Sequence, residues 1–359
     1  MSENAHRRWI IAAAAVAIGV PSILSVVPVA AATTPAANAK LSVRVFASGT
    51  AAMTQPDDIT WLDGTVYAVW QNDIGPSGQP SPTGATASDV VGYNASGHRV
   101  AAWKVTGHAD GIAADSATHQ LIVTVNEDGN SSLFVISPEA PATRQVHHYE
   151  YNLNPLPHGG GTDAISVYRG VILISASAPT VANGPAVYRA ELEGSIAVLQ
   201  PVFFDNSTAT VANVNSPSYN HHVALALTDP DSNEIVPASS PRFAGDFVLD
   251  SQGDEEQIYV AGADGATPRL SVLDLSQAVD DTAWVTNPKG TLFVTDGVDS
   301  EIFEVSGSFV TGAAYVAVTP GDANVPVDKP NCLGELDLRT GRIVPAVTTI
   351  QAKGLLFVP

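Results

Sequence analysis

Residues 110–136 read DGIAADSATHQLIVTVNEDGNSSLFVI. Asp110 leads a short apolar strand, residues 121–125 form a second, and residues 133–136 a third. A polar loop, Asn126-Glu127-Asp128-Gly129, follows the second strand. Short apolar runs bounded by Gly, Asn, Asp and Ser read as consecutive β-strands.

Degenerate copies of this unit recur on both sides. Upstream, Asp57-Asp58-Ile59-Thr60-Trp61 turns at Asp63-Gly64 into residues 66–70, and Gln71-Asn72-Asp73 opens a loop. Asp-Gly is a hairpin turn pair. Downstream, Asp163-Ala164-Ile165-Ser166-Val167 turns at Arg169-Gly170 into residues 171–175. An irregular region, about 180–245, holds a candidate hairpin whose turn is Asp229-Pro230-Asp231-Ser232, between residues 223–227 and 234–236. The pattern returns at Asp246-Phe247-Val248-Leu249, followed by residues 258–261. It returns again at Asp281-Thr282-Ala283-Trp284-Val285, which turns at Asn287-Pro288-Lys289-Gly290 into residues 292–295. Residues 314–318 are a further second-strand candidate, residues 333–338 and 342–347 form a late hairpin around Thr340-Gly341, and the chain ends on residues 354–358.

The acidic marker therefore stands at Asp58, Asp110, Asp163, Asp246 and Asp281, with Gly354 as a degenerate sixth. Beyond the leader no segment sustains a 3.6-residue apolar period. Many strands are continuously apolar, as strands covered on both faces are. A sandwich would not need a strand–turn–strand unit headed by Asp five times over. The expected fold is an all-β, six- or seven-bladed β-propeller over residues 41–359. The count is seven if residues 223–227 and 314–318 are both second strands.

Composition agrees. The 359 residues are 45% hydrophobic and only 14% charged, with 29 Gly and 25 Pro for turns. Sixteen Lys+Arg against 36 Asp+Glu give a net charge of −20, which argues against phosphate-neutralising nucleic-acid binding. The single cysteine, Cys332, allows no intrachain disulfide and reads as a small buried hydrophobe.

Residues 1–32 read as a cleavable signal peptide: Arg7 and Arg8, an apolar run over residues 9–29, then Ala30-Ala31-Ala32. Cleavage after Ala31, Ala32 or Ala39 is consistent with the small residues, and residues 33–40 make a linker. Pro21 and Pro28 argue against a retained membrane span. Arg7-Arg8-Trp9-Ile10-Ile11 resembles the bacterial twin-arginine signal, with Sec export as the alternative. The expected product is a secreted monomer without a stable membrane span.

The unit Asp-Gly-Ile-Ala…Leu-Ile-Val-Thr-Val-Asn resembles the blade of the NHL-repeat and gluconolactonase-like (senescence-marker) propellers, over much of residues 56–300. That resemblance implies that inner-strand starts and second-strand ends meet at one mouth of a central channel. It would place Asp58, Asp110, Asp163, Asp246 and Asp281 around a ring, joined by Gln71, Asn72, Asn126, Glu127 and Asp296. Gluconolactonase-like enzymes hold a divalent metal there with carboxylate and Asn ligands. Asp58, Asp110, Asn126, Glu127, Asp163, Asp246 and Asp281 are the candidate ligands that this implies.

Carboxylates at close quarters repel, and either take up protons or recruit a cation. Oxygen-only ligands favour Ca²⁺ or another hard dication such as Mg²⁺ over zinc. The competing reading is that each Asp caps a turn by accepting backbone N–H bonds. His108 and His158 flank the same mouth, and with Asp163 they are the candidates to activate water beside a metal-bound lactone. For either His, a solvated loop position is the plainer reading. His147-His148 and His221-His222 lack metal-motif spacing. Asp229-x-Asp231-x-Asn233 starts like a calcium loop, but Glu234 and Ser240 occupy the positions of its Gly and closing Glu. Gly159-x-Gly161-x-x-Ala164 leads into strand rather than helix, so it is no dinucleotide fingerprint. G-x-S-x-G, H-E-x-x-H, Walker and C-x-x-C motifs are missing. Two functions remain: a metal-assisted hydrolase of a lactone or similar ester, or a non-catalytic envelope propeller binding a small molecule, glycan or protein.

Overall fold

Strands Pro56–Leu62, Ala109–Asp115, Gly161–Tyr168, Pro230–Ile235, Val279–Trp284 and Leu355–Val358 neighbour one another in a closed cycle. Each is the first strand of a four-stranded antiparallel unit, so the fold is a β-propeller of six blades. The computed structural model describes residues 41–319 and 331–359. The signal peptide and linker expected over residues 1–40 lie outside the described residues. A single helical turn, Ala142–Arg144, is the only helix among the described residues.

The reason the strands are apolar on both faces is visible in the core. Six hydrophobic clusters form, one at each blade-to-blade interface. Val69, Val90, Leu121 and Val123 fill that between blades 1 and 2. Trp70, Ala68, Phe46 and Ile302 fill that between blades 6 and 1. Cys332 is buried between blades 4 and 5, as a small hydrophobe.

Closure uses both ends of the described chain. In blade 6, Leu355–Val358 is innermost and Ser42–Ser48 outermost, flanking Thr291–Asp296 and Glu301–Ser306. The strand order corrects one expected hairpin. Val279–Trp284 does not pair with Thr291–Asp296 but with Ala314–Val318 in blade 5. The turn at Asn287–Gly290 instead carries the chain across to blade 6, and the chain then returns. Gly290 permits the crossing, since a Cβ there would lie 2.5 Å from the Phe357 ring and the Val358 carbonyl.

Blade 4 is also rearranged. Asp229-Pro230-Asp231-Ser232 is not a hairpin turn; Pro230–Ile235 is the inner strand. Phe247–Ser251 is the second strand, and Thr208–Val211 with His222–Ala224 extend the outer edge. Residues 223–227 therefore add no seventh blade.

Five inner strands share one irregularity. Register slips between Pro56 and Ile59, Ala109 and Ile112, Thr162 and Ile165, Pro230 and Asn233, and Val279 and Thr282. Each slip releases two residues from the ladder and re-aims them, as bulges do. Blade neighbours are sewn together just below. Thr124 Oγ1 accepts the Gly111 N–H (3.0 Å) and donates to the Asp163 carbonyl of the next blade. Thr295 does the same with the Gly354 N–H (2.6 Å) and the Asp57 carbonyl. Gly111 and Gly354 have no room for a Cβ: it would fall 2.7 Å from the Ala164 Cα, or 2.3 Å from the Asp57 carbonyl oxygen.

Candidate functional site

Aligning the five slips stacks the inner strands into two tiers. The upper tier is Asp57, Asp110, Asp163, Asp231 and Asp280, with Lys353 in the blade 6 position. The lower tier is Asp58, Gly111, Ala164, Ser232, Asp281 and Gly354. All of these but Gly111, with Glu127 and Glu234, line a cavity of about 400 Å³ at the channel mouth.

The lower-tier aspartates are structural. Asp58 accepts the Ile59 N–H at 2.6 Å and, across the blade boundary, the Ile112 N–H at 2.7 Å. Asp281 repeats this with Thr282 and Leu355, each at 2.6 Å. Burial still raises Asp58 to about 7 and Asp281 well above the usual carboxylate range. Glu234, facing both, is raised to about 8 by burial and then by the Asp58 charge.

The upper tier divides into three. At blades 6 and 1, Lys353 Nζ sits 2.8 Å from Asp57 Oδ1, and Gln71 Nε2 donates to Asp57 Oδ2 at 2.7 Å. Burial alone would depress the Lys353 pKa, but the Asp57, Asp280 and Glu127 charges outweigh it and hold the ammonium well above its usual range. Lys353 is therefore a fixed positive charge and not a base.

At blades 3 and 4, Asp163 and Asp231 hydrogen-bond to one another. Both are pushed well up by burial first. Next come the Glu127 and Asp110 charges for Asp163, and the Asp163 and Asp280 charges for Asp231. Two carboxylates in contact cannot both ionise freely, so the pair favours sharing a proton.

At blade 2, His108, Asp110 and Glu127 offer one ligand atom each, all within 4.8 Å of one another. His108 Nδ1 lies 2.5 Å from the Ile74 carbonyl, an acceptor, so Nδ1 carries a proton. Nε2 then faces Asp110 Oδ1 at 3.0 Å and Glu127 Oε1 at 3.7 Å. Asp110 is 2% exposed and its Oδ2 has no hydrogen-bond partner. Its carboxyl is pushed well up by burial, then by Glu127 and Asp57, with Lys353 and the Glu127 backbone opposing.

Of the expected ligands, Asp58, Asp110, Glu127, Asp163 and Asp281 all border the cavity. His108 does not, and neither do three other expected residues. Asp246 precedes the second strand of blade 4, at the far end from the mouth, where Arg269 and Arg169 oppose the burial that raises its pKa. Asn126 spends its amide locally, accepting from the His108 N–H at 3.0 Å and donating to the Asn130 carbonyl at 3.0 Å. His158 is fully buried, with Nδ1 2.7 Å from the Tyr188 hydroxyl and Nε2 2.7 Å from the Gly161 carbonyl. It is a structural pin, and burial lowers its pKa. Asp296 and Asn72 likewise bond to nearby loop and strand groups.

Asp57, Asp280 and Lys353 were not singled out as site residues in the sequence, and Asp231 was read only as part of a turn and a failed calcium loop. Their signal is the spacing to the next strand residue: Ile59, Ile112, Ile165, Asn233, Thr282 and Leu355 each lie two after an upper-tier residue.

No family model matches the chain, and no curated protein matches it. Solved structures of similar shape include the periplasmic gluconolactonase of Pseudomonas aeruginosa, at 13% identity over 89% of this chain and 99% of that one, TM-score 0.48. The glutaminyl cyclase of Myxococcus xanthus matches at 15% identity over 75% and 97%, TM-score 0.39. A β-propeller domain from Myceliophteria thermophila matches at 7% identity over 82% and 98%, TM-score 0.39. At these identities the likeness concerns the fold alone.

Proposed function

We propose that the channel mouth binds a divalent cation and hydrolyses a neutral, oxygen-rich lactone or similar ester. One observation carries this reading: the ligand atoms of His108, Asp110 and Glu127 converge, and Asp110 and Glu127 border the same cavity as the paired carboxyls of Asp163 and Asp231. A bound dication would polarise the carbonyl and make its water more acidic. The pair Asp163–Asp231 can accept a proton from water and return one to the leaving oxygen. Lys353 offers a permanent ammonium donor to a substrate oxygen. The dense negative charge disfavours anionic substrates and repels a carboxylate product, which helps it leave. The signal-peptide pattern read over residues 1–32 supports export, which would put this chemistry outside the cytoplasm.

The test is acid release from a panel of lactones, with protein stripped by chelator and then reloaded. Turnover should vanish on stripping and return on reloading. Asp163→Asn and Asp231→Asn should each cut kcat about 10²- to 10⁴-fold, the range for losing a positioned acid–base. Saturable binding without turnover would replace this reading with the alternative, a non-catalytic ligand-binding propeller of the envelope.

A further inference from the structure

We infer that the His108–Asp110–Glu127 cluster is a site for a first-row transition dication of the Zn²⁺ and Co²⁺ class, and not for Ca²⁺. The inference deepens the proposed function and takes from it the premise that a cation sits at this wall.

The first argument is donor chemistry. Oxygen-only sites favour Ca²⁺ and Mg²⁺, whereas imidazole nitrogen suits the transition dications. The ring as a whole is carboxylate, but here one nitrogen is brought in. Its orientation is already set: Nδ1 donates to the Ile74 carbonyl at 2.5 Å, which turns Nε2 to the Asp110 and Glu127 carboxylates. A carbonyl behind a ligating imidazole is the usual outer partner of a metal-bound His.

The second argument is Asp110. Its side chain is 2% exposed, its Oδ1 is 3.0 Å from His108 Nε2, and its Oδ2 has no partner. Gln71 Nε2 reaches Oδ1 at 3.3 Å, as an outer-shell donor. An unpartnered oxygen this deeply buried is costly unless something charged completes it. A single proton between Nε2 and Oδ1 would leave both Oδ2 and Glu127 unanswered. A dication answers all three residues.

The third argument is size. Ligand-to-ligand edges of 3.0 and 3.7 Å separate Nε2 from the two carboxylate oxygens. Bonds of about 2.1 Å at angles of about 90° to 120° give such edges. Three protein ligands leave coordination positions open, as catalytic rather than structural sites do.

The test uses the full chain, stripped by chelator, with each metal alone and no substrate. Zn²⁺ and Ca²⁺ are titrated by calorimetry, and Co²⁺ by its visible absorption. One Zn²⁺ should bind at least ~100-fold more tightly than Ca²⁺. His108→Ala should weaken Zn²⁺ at least ~100-fold and leave Ca²⁺ within about threefold. Should that variant fail to fold, Glu127→Ala, at a partly exposed position, should weaken Zn²⁺ at least ~10-fold and alter the Co²⁺ spectrum. Ca²⁺ binding within about tenfold of Zn²⁺, or tight Zn²⁺ binding indifferent to these variants, overturns the inference. Zn²⁺ held through His108 without any hydrolysis overturns the proposed function and leaves this site standing. Hydrolysis supported by Ca²⁺ and indifferent to His108→Ala does the reverse.

Discussion

Asp58 and Asp110 are the same residue type at the mouth of one channel, on adjacent blades, yet their fates are opposite. Asp58 stands one step deeper, where the next blade's backbone comes close, and both its oxygens accept N–H groups. Asp110 stands on the upper tier, and its Oδ2 is left without a hydrogen-bond partner. The lower tier closes the ring, and the upper tier is left with the acceptors that the proposed ligand would meet. A carboxylate's role here follows from who is left to satisfy it, not from its place in a repeat.

The comparison breaks most visibly at the glycines that let the lower tier close. Gly354→Ala puts a Cβ 2.3 Å from the Asp57 carbonyl oxygen, a backbone atom that cannot swing away. We expect about 3 kcal/mol of destabilisation, read by denaturant unfolding. Asp110→Asn should act on the other tier alone. Cation affinity should fall about 100-fold, roughly 2.7 kcal/mol, in a calorimetric titration. The melting temperature without cation should hold or rise, because a buried, poorly partnered carboxyl whose ionisation burial disfavours is replaced by a neutral amide. Asp58→Ala should show the converse. The Ile112 N–H is left buried and unpaired, which costs about 2 kcal/mol, while cation affinity stays within about threefold.

Acidity sharpens the contrast further. Burial raises Asp58 and Asp250 to about 7 and Glu234 to about 8, against ordinary values of 3.8 and 4.5. These folded-state values lie above the unfolded ones, so the folded chain binds protons more readily. Their stabilising contribution is whole below about pH 4 and is lost as pH rises through about 7 to 8. The melting temperature of cation-free protein should therefore climb by a few degrees from about pH 8 to about pH 5. A cation held on the upper tier should flatten only the part of that slope owed to Asp110 and Glu127. A melting curve that falls over this range would remove the electrostatic basis of the contrast.

Much of the fold was legible in the sequence, because turn pairs such as Asp63-Gly64 and Arg169-Gly170 and the continuously apolar strands follow local rules. Three features were not. The crossing at Asn287–Gly290 looks like a hairpin turn, since the same residues suit either; the choice lies in distant packing against Phe357. The inner strand of blade 4 hides in Asp229-Pro230-Asp231, where a proline beside two acids mimics a turn. In Asp57-Asp58 and Asp280-Asp281, two adjacent acids differ only by which of the two positions inside the register slip each occupies. His158 illustrates the same limit. Its glycine-rich neighbourhood looks exposed, but Gly184 packs against its Cβ and the ring is sealed inside.

The central claim is that the upper tier, at blade 2, takes the cation while the lower tier only closes the ring. Anomalous diffraction from crystals of the chelator-stripped protein soaked in Zn²⁺ tests it directly. The account predicts one channel peak bonded to His108 Nε2 and to the carboxylates of Asp110 and Glu127. A peak seated on Asp58 and Asp281, or no peak in the channel, would contradict it.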